Sequence, residues 1–295
     1  MSRPARLGVG VVSAGRVGVV LGAALARAGH TVVAASGVSR DSVRRAEEML
    51  PGVPLLPPDE VVSKADLVLL ALPDDALNGM VRGLAATGSL RPGQIVVHTS
   101  GAHGIEVLGP AAEHGALPLA LHPVMTFTGR PEDLDRITAC SVGITAADGD
   151  EAAWNVGEAL VVEMGSDPVR VPSEARAAYH TALTHGANHL MTLVSDAVDL
   201  LRKQGIATPE RLIGPLLSAA LDNALRHGDR ALTGPVARGD AGTVRKHLDV
   251  LRDKAPEMLP AYRELARRTA DRAAANGLLR PDLAPDVFKA IDEEP

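Results

Sequence analysis

The chain has 295 residues, room for two domains, and a formal net charge of −6. Its 30 basic residues form no long run and aromatic residues make up only 2%, so nucleic-acid binding is not expected. Cys140 is the single cysteine, which excludes an intrachain disulfide and a cysteine-rich metal site; it lies in an apolar run and reads as a small core residue. The expected compartment is the cytoplasm.

Residues 7–18 read LGVGVVSAGRVG: an apolar run, a glycine-bearing turn, and a helix start that continues to Gly29. This is the strand–turn–helix that opens a dinucleotide-binding domain. Turn glycines let backbone approach a pyrophosphate, whose charge then sits at the helix N-terminus. The G-x-G-x-x-G spacing here reads Ser13-Ala14-Gly15-Arg16-Val17-Gly18, with serine at the first glycine. Ser13, Ala14, Gly15, Arg16 and Val17 are therefore the expected cofactor turn. Arg3 and Arg6 ahead of apolar residues resemble a leader peptide, but Arg16 and the four glycines between positions 8 and 18 interrupt it.

A second strand, His30 to Ser36, follows at the expected distance. An NAD site usually has Asp or Glu at its end. Here the residues are Gly37-Val38-Ser39-Arg40-Asp41-Ser42, with Arg44 and Arg45 one turn later. Ser39 and Arg40 are donors suited to a ribose phosphate, since guanidinium–phosphate pairing is strong and specific. NADP(H) is the expected cofactor. A helix cap with solvated arginines is the plainer alternative, and Asp41 could serve an NAD ribose.

Ala65–Leu72 reads as a buried strand ending at Pro73-Asp74, followed by a helix over Asp74–Ala86. Gln94–His98, Leu117–Leu121 and Thr138–Ile144 read as further strands, and Gly149–Glu163 as a helix. Short apolar runs between helices predict a mostly parallel sheet covered on both faces. Ligands bind at strand ends in such sheets, which adds Leu72, Pro73 and Thr99 to the expected cofactor contacts. Ser100 and His122, at the ends of the next strands, are expected to contact substrate; Ser-Gly is also turn chemistry, and His122 before Pro123 is held extended.

After Pro172 no strand pattern appears. Helices are expected over roughly 173–204, 208–228, 239–253 and 256–276. The expected division is a Rossmann-type α/β domain at 1–171 and an all-helical substrate and dimerisation domain at 172–295. Ala177–Ser195 contains no Asp, Glu, Lys or Arg, but three histidines, an asparagine and three threonines make it a poor membrane span. On a wheel of 100° per residue, Leu183, Gly186, Leu190, Leu193, Val194, Ala197 and Leu201 share one arc. The opposite arc carries His180, Thr181, Thr184, His185, Asn188, Thr192 and Ser195. It is polar yet uncharged, so it is expected to be covered, in a cleft or in a subunit interface. In a cleft, His180 would transfer a proton and Asn188 would hold a substrate carbonyl.

Four segments carry a resemblance over nearly the whole chain: His98-Thr99-Ser100-Gly101-Ala102, Leu121-His122-Pro123, Tyr179-His180 with Asn188, and Leu232-Thr233-Gly234-Pro235-Val236-Ala237-Arg238-Gly239-Asp240. The chain resembles bacterial Rossmann-like oxidoreductases with a C-terminal domain of unknown function 2520, in the superfamily of pyrroline-5-carboxylate reductase, 6-phosphogluconate and 3-hydroxyacid dehydrogenases, and ketopantoate reductase. The resemblance implies an NAD(P)-type cofactor, an all-helical second domain and a homodimer through that domain. It supplies no substrate. The wider superfamily often places a lysine four residues before the asparagine; here that position is Thr184. His180, one turn earlier, is the candidate replacement, because histidine can act as acid or base near neutrality.

Thr233 and Arg238 are candidate substrate ligands in the last segment, where Arg238 could bind a carboxylate or phosphate. Asp240 is as well suited to capping the next helix. The ten histidines are scattered, no H-E-x-x-H or H-x-H pair appears, and no metal is expected. The expected activity is NADP(H)-dependent hydride transfer to or from a small carbonyl, hydroxy-acid or imine substrate, with no nucleic-acid or membrane partner. The alternatives are a non-catalytic nucleotide-binding sensor or scaffold dimer, and a reductase of a flavin-type cofactor.

Overall fold

The computed structural model describes residues 6–293. Seven strands build one sheet: β1 (Gly8–Val12), β2 (Thr31–Ala35), β3 (Leu67–Leu70), β4 (Ile95–His98), β5 (Leu117–Pro123), β6 (Ser141–Thr145) and β7 (Asp167–Arg170), in the order β2-β1-β3-β4-β5-β6-β7. Neighbours run parallel except β5 and β6, which pair antiparallel with His122 opposite Gly143. The helices threaded between the strands are α1 (Arg16–Arg27), α2 (Arg40–Met49), α3 (Pro58–Lys64), α4 (Asp74–Ala86), α5 (Gly109–Glu113), α6 (Asp133–Arg136) and α7 (Glu151–Glu163).

Strand periodicity divides the core. Val9, Val11, Leu67 and Leu69 point to the face covered by α1, α2 and α7. Val12, Val68 and Leu70 point to the other, against Val61 and Val62 of α3 and Leu77, Val81 and Leu84 of α4. Both faces are therefore buried, which is why these strands read as continuous apolar runs. This is the Rossmann-type α/β domain expected from the sequence.

The remaining helices are α8 (Arg176–Leu183), α9 (His189–Lys203), α10 (Pro209–His227), α11 (Gly234–Arg238), α12 (Ala241–Lys254), α13 (Leu259–Ala275) and α14 (Ala284–Asp292). The chain divides into two compact units, Met1–Thr184 and His185–Pro295. The second is all-helical, with a core of Val244, Leu248, Ala270, Val287 and Ile291 among others.

The structure corrects the element reading at several points. β7 was not expected: its DPVR sequence pairs with β6 at the sheet edge and is mostly exposed, so it has no apolar run. The expected continuous helix over 173–204 is interrupted by a π-helical segment, Thr184–Asn188. A π turn adds a residue to the helical repeat, so the single 100° wheel does not hold across it. α11 replaces an expected turn at Gly234-Pro235, with proline in its first turn. α14 was also unforeseen; of the tail 292–295 that was expected to fray, residues 294–295 lie outside the described residues.

Candidate functional site

The turn after β1 is shaped by backbone contacts. Ser13 takes the left-handed conformation (φ +76°), one that glycine adopts without the steric cost serine meets. Its amide donates to Ser36 Oγ at 2.9 Å, and the Ala14 amide donates to the Ser36 carbonyl at 2.6 Å. The serine at the first motif position thus keeps the glycine-like geometry. Gly18 has no room for a side chain, since a Cβ would lie 2.2 Å from the Ser13 carbonyl oxygen. Gly15 precedes α1 and caps it without a side-chain bond, and a Cβ there would meet only Ser13 Oγ at 3.6 Å. The first-turn amides of α1 therefore lack acceptors from the helix and its cap side chain, the condition that favours an anion.

A cleft of about 440 Å³ opens at this helix end. It is lined by Ser13, Gly15, Arg16 and Val17 from the turn, Leu72, Pro73 and Asp74 after β3, Thr99, Ser100 and Gly101 after β4, and His180. Arg45 and Ala71 complete the wall. The structure thus brings together most of the expected cofactor residues, one expected substrate residue and His180. Ala14 is buried beneath the turn. Arg45 and Asp74 were not singled out as ligands; the signal for Arg45 was its place one helical turn beyond Arg40–Asp41. Gly129 (φ +75°) packs on the arginines, its Cβ position 3.0 Å from both Arg16 Cγ and Arg45 Cδ. Buried Asp133 holds that loop by accepting from the amides of Thr128 (2.7 Å) and Gly129 (2.8 Å).

Ser39 and Arg40 are placed differently. Ser39 is the N-cap of α2 and its Oγ accepts from the Ser42 amide at 3.1 Å. Arg40 is exposed on the first turn. Arg44 pairs with Asp41 at 2.9 Å, so these two engage each other.

The turn after β4 is pinned from both sides. His98 is buried, with Nδ1 accepting from the Ser100 amide (3.2 Å) and Nε2 facing the Gly104 carbonyl (2.9 Å). Burial holds its pKa down to about 4. Ser100 Oγ accepts from the amides of Ala102 (3.2 Å) and His103 (3.1 Å), so its hydroxyl builds the turn.

Behind this turn stands Arg176, which sequence reasoning missed. It is 1% exposed. Nε donates to Thr145 Oγ1 (2.7 Å), Nη1 to the Ser100 carbonyl (3.2 Å), and Nη2 to the carbonyls of Ala120 (3.2 Å) and Gly143 (2.9 Å). No ion pair involves it among the described residues, so neutral acceptors alone offset its burial. Burial lowers its pKa to about 10, which leaves it charged at neutrality. Arg176, Tyr179 and His180 are spaced i, i+3 and i+4 on α8, one face of the helix. The guanidinium lies 5.6 Å from the Tyr179 ring centroid. Tyr179 Oη lies 2.9 Å from His122 Nδ1, in space that a side chain on Gly143 would occupy, its Cβ 2.6 Å from that hydroxyl. His122 and His180 meet edge to face, ring centroids 6.0 Å apart. Burial, then the Arg176 charge, lowers the His122 pKa to about 4.

The other expected residues belong to the second unit. Asn188 ends the π segment and is exposed. Thr233 lines a separate cavity of about 370 Å³ with His247 and Tyr262. Arg238 is exposed, without an ion pair among the described residues. Asp240 caps α12, accepting from the Thr243 amide at 3.0 Å. Among the described residues, no group of three or more His, Cys, Asp or Glu is arranged to hold a metal. No helix among them is long and apolar enough to cross a membrane.

Comparison with known proteins agrees with this architecture. A Rossmann-like domain model matches residues 1–123, and the model for domain of unknown function 2520 matches residues 140–269. The chain belongs to the proteins that join these two domains. Comparison with curated proteins gives no match. Among solved structures, a Bacteroides fragilis protein provisionally described as an NADP oxidoreductase is 22% identical, with a TM-score of 0.73, covering 90% of this chain and 98% of its own. An imine reductase from a Pseudomonas species is 18% identical (TM-score 0.64, 97% and 100% covered). The imine reductase of Myxococcus stipitatus in complex with NADP+ is 17% identical (TM-score 0.63, 97% and 100% covered). These likenesses establish a shared fold.

Proposed function

We propose that the chain is an NADP(H)-dependent oxidoreductase acting on a small carbonyl, hydroxy-acid or imine substrate. The observation that carries it is the cleft at the start of α1, where a helix end without a side-chain cap, Arg16 and Arg45 line the same space as Thr99–Gly101 and His180. These residues fit a dinucleotide. Gly18 allows α1 to approach the β1 turn, the helix amides suit a pyrophosphate, and two arginines suit an additional ribose phosphate. Two fold neighbours, a protein provisionally described as an NADP oxidoreductase and an imine reductase in complex with NADP+, support the same cofactor.

NADPH, when bound, supplies the hydride. Leu72, Pro73 and Thr99 would hold it against the strand ends. Ser100 would orient the substrate from the fixed β4 turn. His180, which lines the cleft, is the proposed proton-transfer residue. Asn188, Thr233 and Arg238 remain proposed substrate ligands of the helical domain, taken to begin at Pro172, and a homodimer through that domain is part of the proposal. A nucleotide-binding protein without catalysis is a second reading, favoured by Thr184 where the resembling superfamily often has lysine.

Calorimetry with NADPH and NADH tests the cofactor. NADPH is expected to bind more tightly, and Arg45→Ala to remove most of the preference, on the order of 1.5–3 kcal/mol for a charge-assisted contact. Arg40→Ala measures the share of the exposed arginine. Equal affinities in the unmodified protein would overturn NADP specificity. For catalysis, His180→Gln is expected to lower turnover by roughly 10²–10⁴-fold. NADPH binding without oxidation on a panel of keto acids, ketones, imines and flavins would favour the sensor.

A further inference from the structure

Three histidines surround the Thr99–Gly101 turn, and their nitrogens are committed differently. Both ring nitrogens of His98 are used in fixing the turn. His122 commits only Nδ1, to the Tyr179 hydroxyl. Its Nε2 has no partner among the described residues and is not sealed from solvent. That Nε2 edge abuts Gly101: a Cβ there would lie 2.8 Å from His122 Nε2 and 2.7 Å from His180 Cδ2. Gly101 and His180 both line the cleft, and with no side chain on Gly101 the His122 Nε2 edge stands directly behind that wall.

The direction of the His122–Tyr179 bond follows from what surrounds it. The Tyr179 hydroxyl has no other partner among the described residues. Burial keeps the phenol protonated by raising its pKa. The adjacent Arg176 charge makes the hydroxyl a stronger donor. Tyr179 therefore donates, His122 Nδ1 accepts, and the ring proton resides on Nε2. The charges that act on His122 are Arg176 and His180 of α8, which disfavour a second proton, and Asp74 of α4, which favours one. The same Arg176 fixes the carbonyls of Ala120 on β5, the His122 strand, and of Gly143 opposite His122, so it sets the position of the imidazole as well as its charge.

We propose that His122 is a neutral hydrogen-bond donor to substrate, its Nε2–H offered beside Gly101 to a carbonyl or carboxylate oxygen, with Tyr179 and Arg176 as positioning residues. The donor needs an acceptor with a free lone pair, so the substrate is a carbonyl compound, a keto acid or a hydroxy acid. A protonated imine has no lone pair to offer and gains nothing from this donor. Only the substrate class rests on the oxidoreductase function; the tautomer and charge of His122 stand independently.

Long-range ¹H–¹⁵N NMR of the full-length protein labelled at histidine tests the assignment. His122 is expected to be one neutral Nε2–H tautomer from roughly pH 8 to pH 5. Tyr179→Phe, which removes one oxygen, is expected to release the tautomer into a mixture while the protein stays folded. Arg176→Met is expected to raise the His122 midpoint towards 6.5; should it fail to fold, Tyr179→Phe carries the test. With NADP+ present, oxamate or cyclohexanone is expected to shift the His122 Nε2–H resonance. Titration of His122 near 6.5, an Nδ1–H tautomer, or a resonance that neither probe moves would overturn the proposal. Fluorescence titration with NADPH is run alongside. Loss of NADPH binding in the unmodified protein would count against the oxidoreductase function and leave the tautomer result intact.

Discussion

Ser39 shows how one side chain can have a structural and a ligand role that substitution separates. As the N-cap of α2 it accepts from the Ser42 amide, and Ser39→Ala is expected to cost about 1 kcal/mol of stability. Aspartate caps a helix as well as serine does but repels a phosphate. Ser39→Asp should therefore keep the urea midpoint near that of the unmodified protein and lower NADPH affinity, with NADH affinity little changed. Unchanged NADPH affinity in Ser39→Asp would leave Ser39 as a cap alone. Gly101 gives a second residue-scale test. Its backbone angle suits any residue, but an added Cβ at 2.7–2.9 Å from two imidazole rings must push them aside. Gly101→Ala is expected to lower turnover by at least tenfold with little loss of NADPH affinity; full activity would show that the space before His122 is not used. The nucleotide turn was legible from Gly18, where helix and turn leave no room for a side chain, and from Gly15 at the start of α1. Arg176 was not legible. An arginine at the start of a helix reads as a solvated charge, and only the fold shows three carbonyls and a hydroxyl converging on it.

At the scale of elements, β4 and β5 each deliver a histidine from the C-terminal end of a buried strand, and both are held neutral with pKa values lowered to about 4. Their unfolded values are near 6.5. Between these limits the unfolded chain binds more protons than the folded one, so stability rises with pH across this window. The contribution is complete above about pH 6.5 and is lost as pH falls towards 4. A shift of this size corresponds to roughly 3 kcal/mol per histidine. Urea unfolding at a series of pH values is expected to show that fall, and His122→Gln to remove part of it; a flat profile from pH 7 to about 4.5 would contradict the buried, neutral state of both rings. The strands themselves were legible because they are buried on both faces and so read as unbroken apolar runs. β7 was not, because an edge strand with exposed residues needs no apolar pattern. The π segment Thr184–Asn188 was hidden for another reason: the extra residue leaves no mark in composition, and it invalidates a constant 100° step. His180 could still be placed on α8, since it precedes the π segment, whereas the arc relation between it and Asn188 cannot be carried through.

For the whole molecule, the helical unit raises a question of stability that one copy of the chain does not answer. α10 is 19 residues long, and only Pro209 of its residues is buried. α9 buries only Val198. Their apolar side chains are left in solvent: Met191 is 66% exposed, Leu216 67% and Leu225 79%. Helices of this length draw most of their stability from packing an apolar face. On α10 the step from Leu212 to Leu216 is four residues, which places them on one face, whereas Leu221 and Leu225 are nearly opposite. A helix that is apolar on two faces is normally buried. The charge-free stretch Ala177–Ser195 adds a polar surface with no Lys, Arg, Asp or Glu to keep it solvated. A second copy of the chain, covering these helices over the 2,000 Å² or more that obligate dimers typically bury, is the expected partner. Light scattering at micromolar concentration should give twice the 30.6 kDa chain mass. Leu216→Lys with Leu225→Glu should shift the protein to monomer and reduce its far-ultraviolet helical signal, because α9 and α10 would lose the packing that holds them. NADPH affinity should fall less than helicity if the nucleotide unit folds on its own core. A stable monomer of the unmodified chain with full helical content would rule the dimer out, and the exposed leucines of α10 would then need another covering partner.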